Sequence, residues 1–275
     1  MSPSPMIYVE IHGLLVAYQR TGEGPALVLL HGFTHDSRAW RPQVENLSEQ
    51  FTVVTWDAPG AGQSSDPPDE FGIADWADCL AGVLDHAEIQ RAHIIGLSWG
   101  GLLAQEFYRR HSVRVLSLVL ADTYAGWKGS LHETVSQERL SACLQDASLP
   151  PGEFILRYLP GMFSQSVAQE VREELAGIMS DFHPTGFRLM ASALAHADTR
   201  DLLPRIRVPT LLIWGDEDER SPLTVADQFV KEVPKAKLAV IIGAGHVSNL
   251  EAPIQFNVHV SEFCSAVQIQ NNPPI

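Results

Sequence analysis

Long hydrophobic runs are missing from this sequence of 275 residues. No stretch reaches the length of about 18 apolar residues that a membrane-spanning helix requires. The first residues, MSPSPMIYVEIHG, carry neither the basic segment nor the apolar run of a secretory signal. We therefore expect a cytoplasmic protein that is not inserted in a membrane.

Positive charge is also scarce. The chain has 19 Lys and Arg residues against 33 Asp and Glu residues, which gives a formal net charge of −14. A chain of this charge repels the phosphates of nucleic acids and of anionic lipid surfaces. We expect neither nucleic acid nor a membrane as a partner.

Cysteines and metal-ligand patterns are sparse as well. The three cysteines, Cys79, Cys143 and Cys264, are scattered and odd in number, which predicts reduced structural thiols rather than disulfides. The eleven histidines show no ligand spacing such as His-x-x-x-His. The sequence therefore predicts no metal site and no cofactor.

What the chain does contain is an alternation of apolar runs and helical patterns. Segments 7–11 and 14–18 flank His12-Gly13 and predict an antiparallel hairpin. Further β-type runs lie at 26–30, 51–56, 92–96, 115–121, 210–215 and 237–243, and helical periodicity at 73–88, 99–111, 224–233 and 254–267. Near-continuous apolar strands are typical of parallel sheets buried on both faces. The pattern predicts an α/β fold with a mostly parallel, doubly wound sheet.

The alternation stops between residues 124 and 200, where strand-like runs vanish. Amphipathic helical segments there are interrupted by LPPGE, LPGMF and HPTG. We therefore predict a core domain of residues 1–123 and 201–268, and a helical cap of residues 124–200 inserted into it. Residues 269–275 are polar and Pro-rich, so we expect a flexible tail.

The stretch IIGLSWGG places Ser98 between Gly96 and Gly100, where a strand meets a helix. A turn this tight needs glycines, because side chains there would collide with the backbone. A serine hydroxyl becomes a nucleophile only when a base, itself oriented by a third group, removes its proton.

Candidates for that base and third group follow two later strands, in the loops DEDERSP and AGHVSNLEAP. The carboxyl ends of parallel strands meet at one sheet edge, which would bring these loops to Ser98. The residues alone do not distinguish among the consecutive acids Asp216, Glu217, Asp218 and Glu219.

Four motifs in this order resemble those of α/β-hydrolases, and nearly the whole chain matches: LVLLHGF, GLSWGG, GDEDERSP and GAGHVSNLEAP. The resemblance implies an α/β-hydrolase fold with Ser98 as nucleophile, Asp218 as acid and His246 as base. Asp122, which closes the strand LVLAD, stays open as an alternative acid. The resemblance also implies an oxyanion hole formed by the backbone N–H groups of Phe33 and Trp99.

The cap offers candidates for binding the substrate. Trp127, Tyr158, Met162 and Phe163 are predicted to line an apolar pocket, against the alternative that they only pack the cap onto the sheet. The cap arginines Arg139, Arg157 and Arg188 are candidates to pair with a substrate carboxylate, against the alternative that they are solvated.

These residues together predict a serine hydrolase that cleaves small-molecule carboxylic esters or lactones through an acyl-enzyme on Ser98. The ending GAGHVSNLEAPIQFN resembles the branch with β-ketoadipate enol-lactone hydrolases, carboxylesterases and ring-cleavage C–C hydrolases. Two alternatives remain: a C–C bond hydrolase, and a ligand-binding, receptor-like protein on the same fold. We expect a small-molecule partner and a monomer or homodimer.

Overall fold

The computed structural model describes residues 4–271 and contains one eight-stranded sheet. In space the strand order is β1-β2-β4-β3-β5-β6-β7-β8. The strands are β1 (Ile7–Ile11), β2 (Leu14–Thr21), β3 (Ala26–Leu30), β4 (Thr52–Asp57), β5 (Ala92–Leu97), β6 (Val115–Ala121), β7 (Thr210–Gly215) and β8 (Lys237–Ile241).

The predicted mostly parallel sheet is confirmed, with the antiparallel pairs confined to one side. Strand β2 pairs antiparallel with both β1 and β4, and every later pair is parallel. The hairpin turn lies at His12 and Gly13, whose φ angles of 51° and 80° suit a two-residue turn. All six residues are buried in each of β4, β5 and β7, as expected for strands covered on both faces.

Helices connect the strands and cover the sheet. They are α1 (Arg41–Leu47), α2 (Ile73–His86), α3 (Trp99–His111), α4 (Trp127–Ser130), α5 (Glu133–Asp146), α6 (Pro151–Tyr158), α7 (Gln169–Met179), α8 (Pro184–His196), α9 (Leu223–Glu232), α10 (Ser248–Glu251) and α11 (Pro253–Asn271). The short helices α1 and α10 were not predicted, because a helix of one or two turns shows little periodicity. None of the helices in the described part of the chain is long and apolar enough to cross a membrane.

The prediction of a tail beginning at residue 269 is wrong for its first residues. Helix α11 continues to Asn271, so residues 269–271 are helical. The rest of the predicted tail, residues 272–275, lies outside the described residues.

Five helices, α4 to α8, lie between β6 and β7, and we call residues 124–200 the helical insertion. The motifs LPPGE and HPTG mark helix starts, since Pro151 and Pro184 occupy the first position of α6 and α8. The insertion contacts the loop after β4 closely: Gly186 of α8 lies against Gly60 of that loop. A Cβ atom on Gly60 would lie 2.5 Å from the Cα atom of Gly186, so only glycines allow this contact.

Candidate active site

Ser98 lies on the turn between β5 and α3 with an unusual backbone, φ 53° and ψ −114°. A non-glycine residue with positive φ is strained, and such strain is concentrated at functional sites. A Cβ atom on Gly96 would collide with the carbonyl oxygen of Gly100, and one on Gly100 with that of Leu30. The two glycines therefore let the helix start directly behind the strand, with Ser98 at its tip.

A hydrogen-bonded chain joins Ser98, His246 and Asp218. The distance from Ser98 Oγ to His246 Nε2 is 2.9 Å, and from His246 Nδ1 to Asp218 Oδ2 it is 2.8 Å. All three side chains are buried. They follow β5, β8 and β7 respectively, so the parallel strands bring them to one sheet edge.

Backbone groups hold the second and third members of this chain in place. Asp218 Oδ1 accepts hydrogen bonds from the N–H groups of Arg220 and Ser221, both at 2.8 Å. The N–H of His246 donates to the carbonyl oxygen of Met162, at 2.9 Å, so the helical insertion contacts the base directly. These bonds fix the position of the carboxylate that accepts from His246 Nδ1.

Asp122, the alternative acid, lies beneath this chain and has other partners. It is fully buried and accepts hydrogen bonds from the N–H of Gly215 at 2.9 Å and the hydroxyl of Ser248 at 2.5 Å. Burial, with the nearby charge of Asp218, raises its pKa well above the usual value. Asp122 thus joins the end of β7 to the start of α10, and the carboxylate that accepts from His246 Nδ1 is that of Asp218.

The predicted oxyanion donors border the same region. In residues 4–271 neither the Phe33 N–H nor the Trp99 N–H donates to a protein atom, so both remain free for a ligand. The N–H of Trp99 belongs to the first turn of α3, where partial positive charge gathers. His31 supports the loop, because its Nε2 accepts from the N–H of Ala58 at 3.1 Å and its Nδ1 donates to the carbonyl of Gly32 at 2.9 Å.

A cavity of about 430 Å³ opens onto Ser98 and His246. Of the insertion residues predicted to bind substrate, Trp127, Tyr158 and Met162 line it. Phe163 does not, and that prediction is wrong: its ring packs against the guanidinium of Arg172, 5.1 Å away. Phe163 directly follows the lining residue Met162 on a segment that is neither helix nor strand. The hydrophobic periodicity of the sequence cannot predict which of two neighbours on such a segment faces the cavity.

Several lining residues were missed by the sequence reasoning. They are Thr34, His35, Tyr124, Ala142, Cys143, Asp146, Pro160, Gly161, Leu194, Glu219 and Arg220. The motif HGFTH could have suggested His35, and the loop DEDERSP could have suggested Arg220. Burial lowers the pKa of His35 to about 3, so its ring is neutral.

The three candidate arginines differ in position. Arg139 and Arg157 line the cavity, whereas Arg188 lies elsewhere and pairs with Asp69 at 2.6 Å. Arg157 is neutralised by the buried carboxylate of Asp146 at 2.7 Å. Within residues 4–271, no three His, Cys, Asp or Glu side chains are grouped so that they could hold a metal ion.

A mostly parallel sheet with a strained serine on the turn after β5 is the arrangement found in α/β-hydrolases. A model described as "Alpha/beta hydrolase family" matches residues 27–258. The chain belongs to this family.

Individual relatives carry esterase and lactonase names. The chain is 28% identical to 3-oxoadipate enol-lactonase 1 of Acinetobacter baylyi over 94% of its length and 99% of the relative's. It is 30% identical to the pimeloyl-[acyl-carrier protein] methyl ester esterase of Vibrio vulnificus, covering 87% and 94% of the two chains. A thermophilic esterase from Thermogutta terrifontis superposes with a TM-score of 0.89 at 27% identity, over 96% of this chain and 99% of the other.

Proposed function

We propose that this protein is a serine hydrolase that cleaves small-molecule carboxylic esters or lactones through an acyl-enzyme on Ser98. The observation that carries the proposal is the chain from Ser98 Oγ through both ring nitrogens of His246 to Asp218. The esterase and enol-lactonase names of the relatives support the same class of substrate.

The proposed reaction has two halves, and in each of them His246 first accepts a proton and then returns it. His246 Nε2 takes the proton of the Ser98 hydroxyl as its oxygen attacks the ester carbonyl. Asp218 holds the proton on Nδ1 and stabilises the imidazolium. His246 then returns the proton to the departing alcohol. Water enters, loses a proton to His246 and adds to the acyl carbonyl, and His246 gives that proton to the Ser98 oxygen as the acid leaves.

The negative charge that develops on the carbonyl oxygen needs donors that are already in place. The free N–H groups of Phe33 and Trp99 are the proposed pair. The ring of Phe33 stacks on that of Phe187 with centroids 4.7 Å apart and an interplanar angle of 15°. This contact with α8 supports the loop that carries the Phe33 N–H.

We propose that residues 124–200 act as a cap over a core of residues 1–123 and 201–268. The insertion supplies Trp127, Tyr158 and Met162 to the cavity and bonds the backbone of His246. A cavity of about 430 Å³ is within the usual range for small ligands. We therefore expect short acyl chains to be cleaved with higher kcat/KM than long ones.

Covalent labelling tests the assignment of Ser98. A fluorophosphonate should add once to the intact protein, and peptide mass spectrometry should place the adduct on Ser98. Ser98→Ala should lose both the adduct and the turnover of short-chain 4-nitrophenyl esters. Ser180→Ala, at a serine outside the cavity, should behave like the unmodified protein. Labelling that persists in Ser98→Ala would move the nucleophile elsewhere.

A further inference from the structure

Two guanidinium groups in the cavity have no carboxylate partner. Arg139 and Arg220 both line the cavity, and neither lies within 4.0 Å of an Asp or Glu oxygen among residues 4–271. Arg157, in the same cavity, does have such a partner in Asp146.

Neutral oxygens hold the two groups in position but use only some of their donors. Arg139 donates to the Tyr124 hydroxyl at 3.1 Å and twice to the carbonyl oxygen of Arg220 at 3.2 Å. Arg220 donates from Nη2 to the carbonyl oxygens of Tyr158 and Pro160, at 2.6 and 3.0 Å. Each guanidinium has five N–H donors. Half of the ten therefore have no acceptor in the described part of the protein.

The burial of the Arg220 side chain makes its positive charge costly. The Nε of Arg220 is buried without a hydrogen-bond partner. Desolvation lowers the pKa of Arg220, and the like charge of Arg139 lowers it further. An arginine keeps its proton in a protein, so an anion bound in the cavity would pair with this charge and use the free N–H donors.

Aromatic rings orient both cations along the cavity wall. The guanidinium carbon of Arg139 is 5.8 Å from the ring centroid of Trp127, and that of Arg220 is 5.8 Å from the ring centroid of Tyr158. Glu219 is the other acid of the lining besides Asp146, and its carboxylate approaches the position of Gly161 rather than either guanidinium. The wall thus presents two adjacent cations to whatever occupies the cavity.

We propose that Arg139 and Arg220 form an anion subsite that binds a free carboxylate of the substrate, separate from the carbonyl that Ser98 attacks. The inference rests on the proposed function and narrows it to monoesters or lactones that carry a carboxylate. A planar carboxylate matches the fork of N–H donors that a guanidinium presents. Arg220 follows the acid Asp218 by two residues, which places the subsite beside the hydrogen-bonded chain.

Binding to Ser98→Ala protein tests the subsite without requiring turnover. Isothermal titration would compare monomethyl succinate, glutarate and adipate with the corresponding dimethyl esters. At least one monoester should bind about tenfold or more tightly than its uncharged dimethyl counterpart. Equal affinity in all three pairs, or no binding by any of the six, would overturn the inference.

Variants at Arg139 and Arg188 test which of these arginines causes the preference for the monoester. In the Ser98→Ala background, Arg139→Gln should remove most of the preference for the monoester, and Arg139→Lys should restore part of it. Arg188→Gln is the matched control, because this arginine pairs with Asp69 outside the cavity. A preference that survives in Arg139→Gln, or that is lost equally in Arg188→Gln, contradicts the subsite.

Kinetics on protein with Ser98 intact separates the two proposals. Mono-(4-nitrophenyl) glutarate should have a higher kcat/KM than its methyl ester, and Arg139→Gln should reduce this ratio mainly through KM. Turnover of both esters without a preference would overturn the subsite and leave the hydrolase. Selective binding without turnover of either ester would overturn the hydrolase and leave the subsite.

Discussion

Asp122→Asn should leave folding and turnover nearly unchanged, whereas Asp122→Ala should be strongly destabilised. Asp122 is fully buried, accepts from the Gly215 N–H and contacts the Ser248 hydroxyl. Its raised pKa favours the protonated carboxyl. An asparagine has the same shape as that form. Its oxygen accepts from the Gly215 N–H, and its amide N–H donates to the Ser248 hydroxyl once that hydroxyl turns from donor to acceptor.

The destabilisation expected for Asp122→Ala follows from the two hydrogen-bond partners that lose the Asp122 carboxyl group. The Gly215 N–H and the Ser248 hydroxyl would stay buried without a hydrogen bond, at roughly 1–3 kcal/mol each. We therefore expect the free energy of unfolding to fall by about 2–6 kcal/mol in Asp122→Ala and by less than about 1 kcal/mol in Asp122→Asn. Urea unfolding followed by tryptophan fluorescence measures both values.

The pH dependence gives a second readout with a definite sign. Because the pKa of Asp122 is raised in the folded protein, the unfolded chain releases this proton first as the pH increases. The contribution of Asp122 to stability is complete below the ordinary Asp pKa of about 4 and is lost as pH rises toward the folded pKa. The stability of Asp122→Asn should fall less over that window.

Two results would refute this reasoning. One is a loss of kcat by orders of magnitude in a folded Asp122→Asn protein, which would make the charged carboxylate of Asp122 necessary. The other is equal destabilisation by asparagine and alanine. Asp216→Asn serves as the control for a nearby acid, since Asp216 is exposed and accepts from the N–H of Gly243.

Three further predictions follow from the site and the insertion. Asp218→Asn should lower kcat on the order of 10⁴-fold with an unchanged circular dichroism spectrum, whereas Asp216→Asn should have little effect; equal losses would contradict the assignment. Gly186→Ala places a methyl group against the carbonyl of Gly60 and should lower both Tm and kcat/KM, and an unchanged Tm would show that the insertion docks differently. Stopped-flow kinetics on the best ester should show repeated turnover at about 1 to 10³ s⁻¹; a single burst followed by less than about one turnover per minute would favour the receptor-like alternative.

The strands were predictable because their signal is local. Buried parallel strands are continuous apolar runs, and β3, β6 and β7 begin and end at the predicted residues, as does the hairpin strand β1. The limits of the other strands differ by a few residues, where hydrogen bonds to a neighbouring strand rather than composition decide the ends.

The site was predictable only in part. Four consecutive acids look alike in sequence, and the family resemblance singled out Asp218. In the structure Asp216, Glu217 and Glu219 are exposed while Asp218 is buried against His246. Arg220 was missed because its environment depends on carbonyl groups of the insertion, about 60 residues earlier in the chain. Contacts between residues so far apart produce no periodic pattern in the sequence.

The order of the strands along the chain also determines the order in which the residues of the site are synthesised. A ribosome completes β5 and Ser98 long before it reaches Asp218 and His246, which follow the last two strands to be made. Strands β3 to β6 can pair as they emerge, but β7 and β8 must still be added at the sheet edge. A nascent or prematurely terminated chain therefore carries a Ser98 hydroxyl without its hydrogen bond to His246, and that contact forms only when the polypeptide is almost finished.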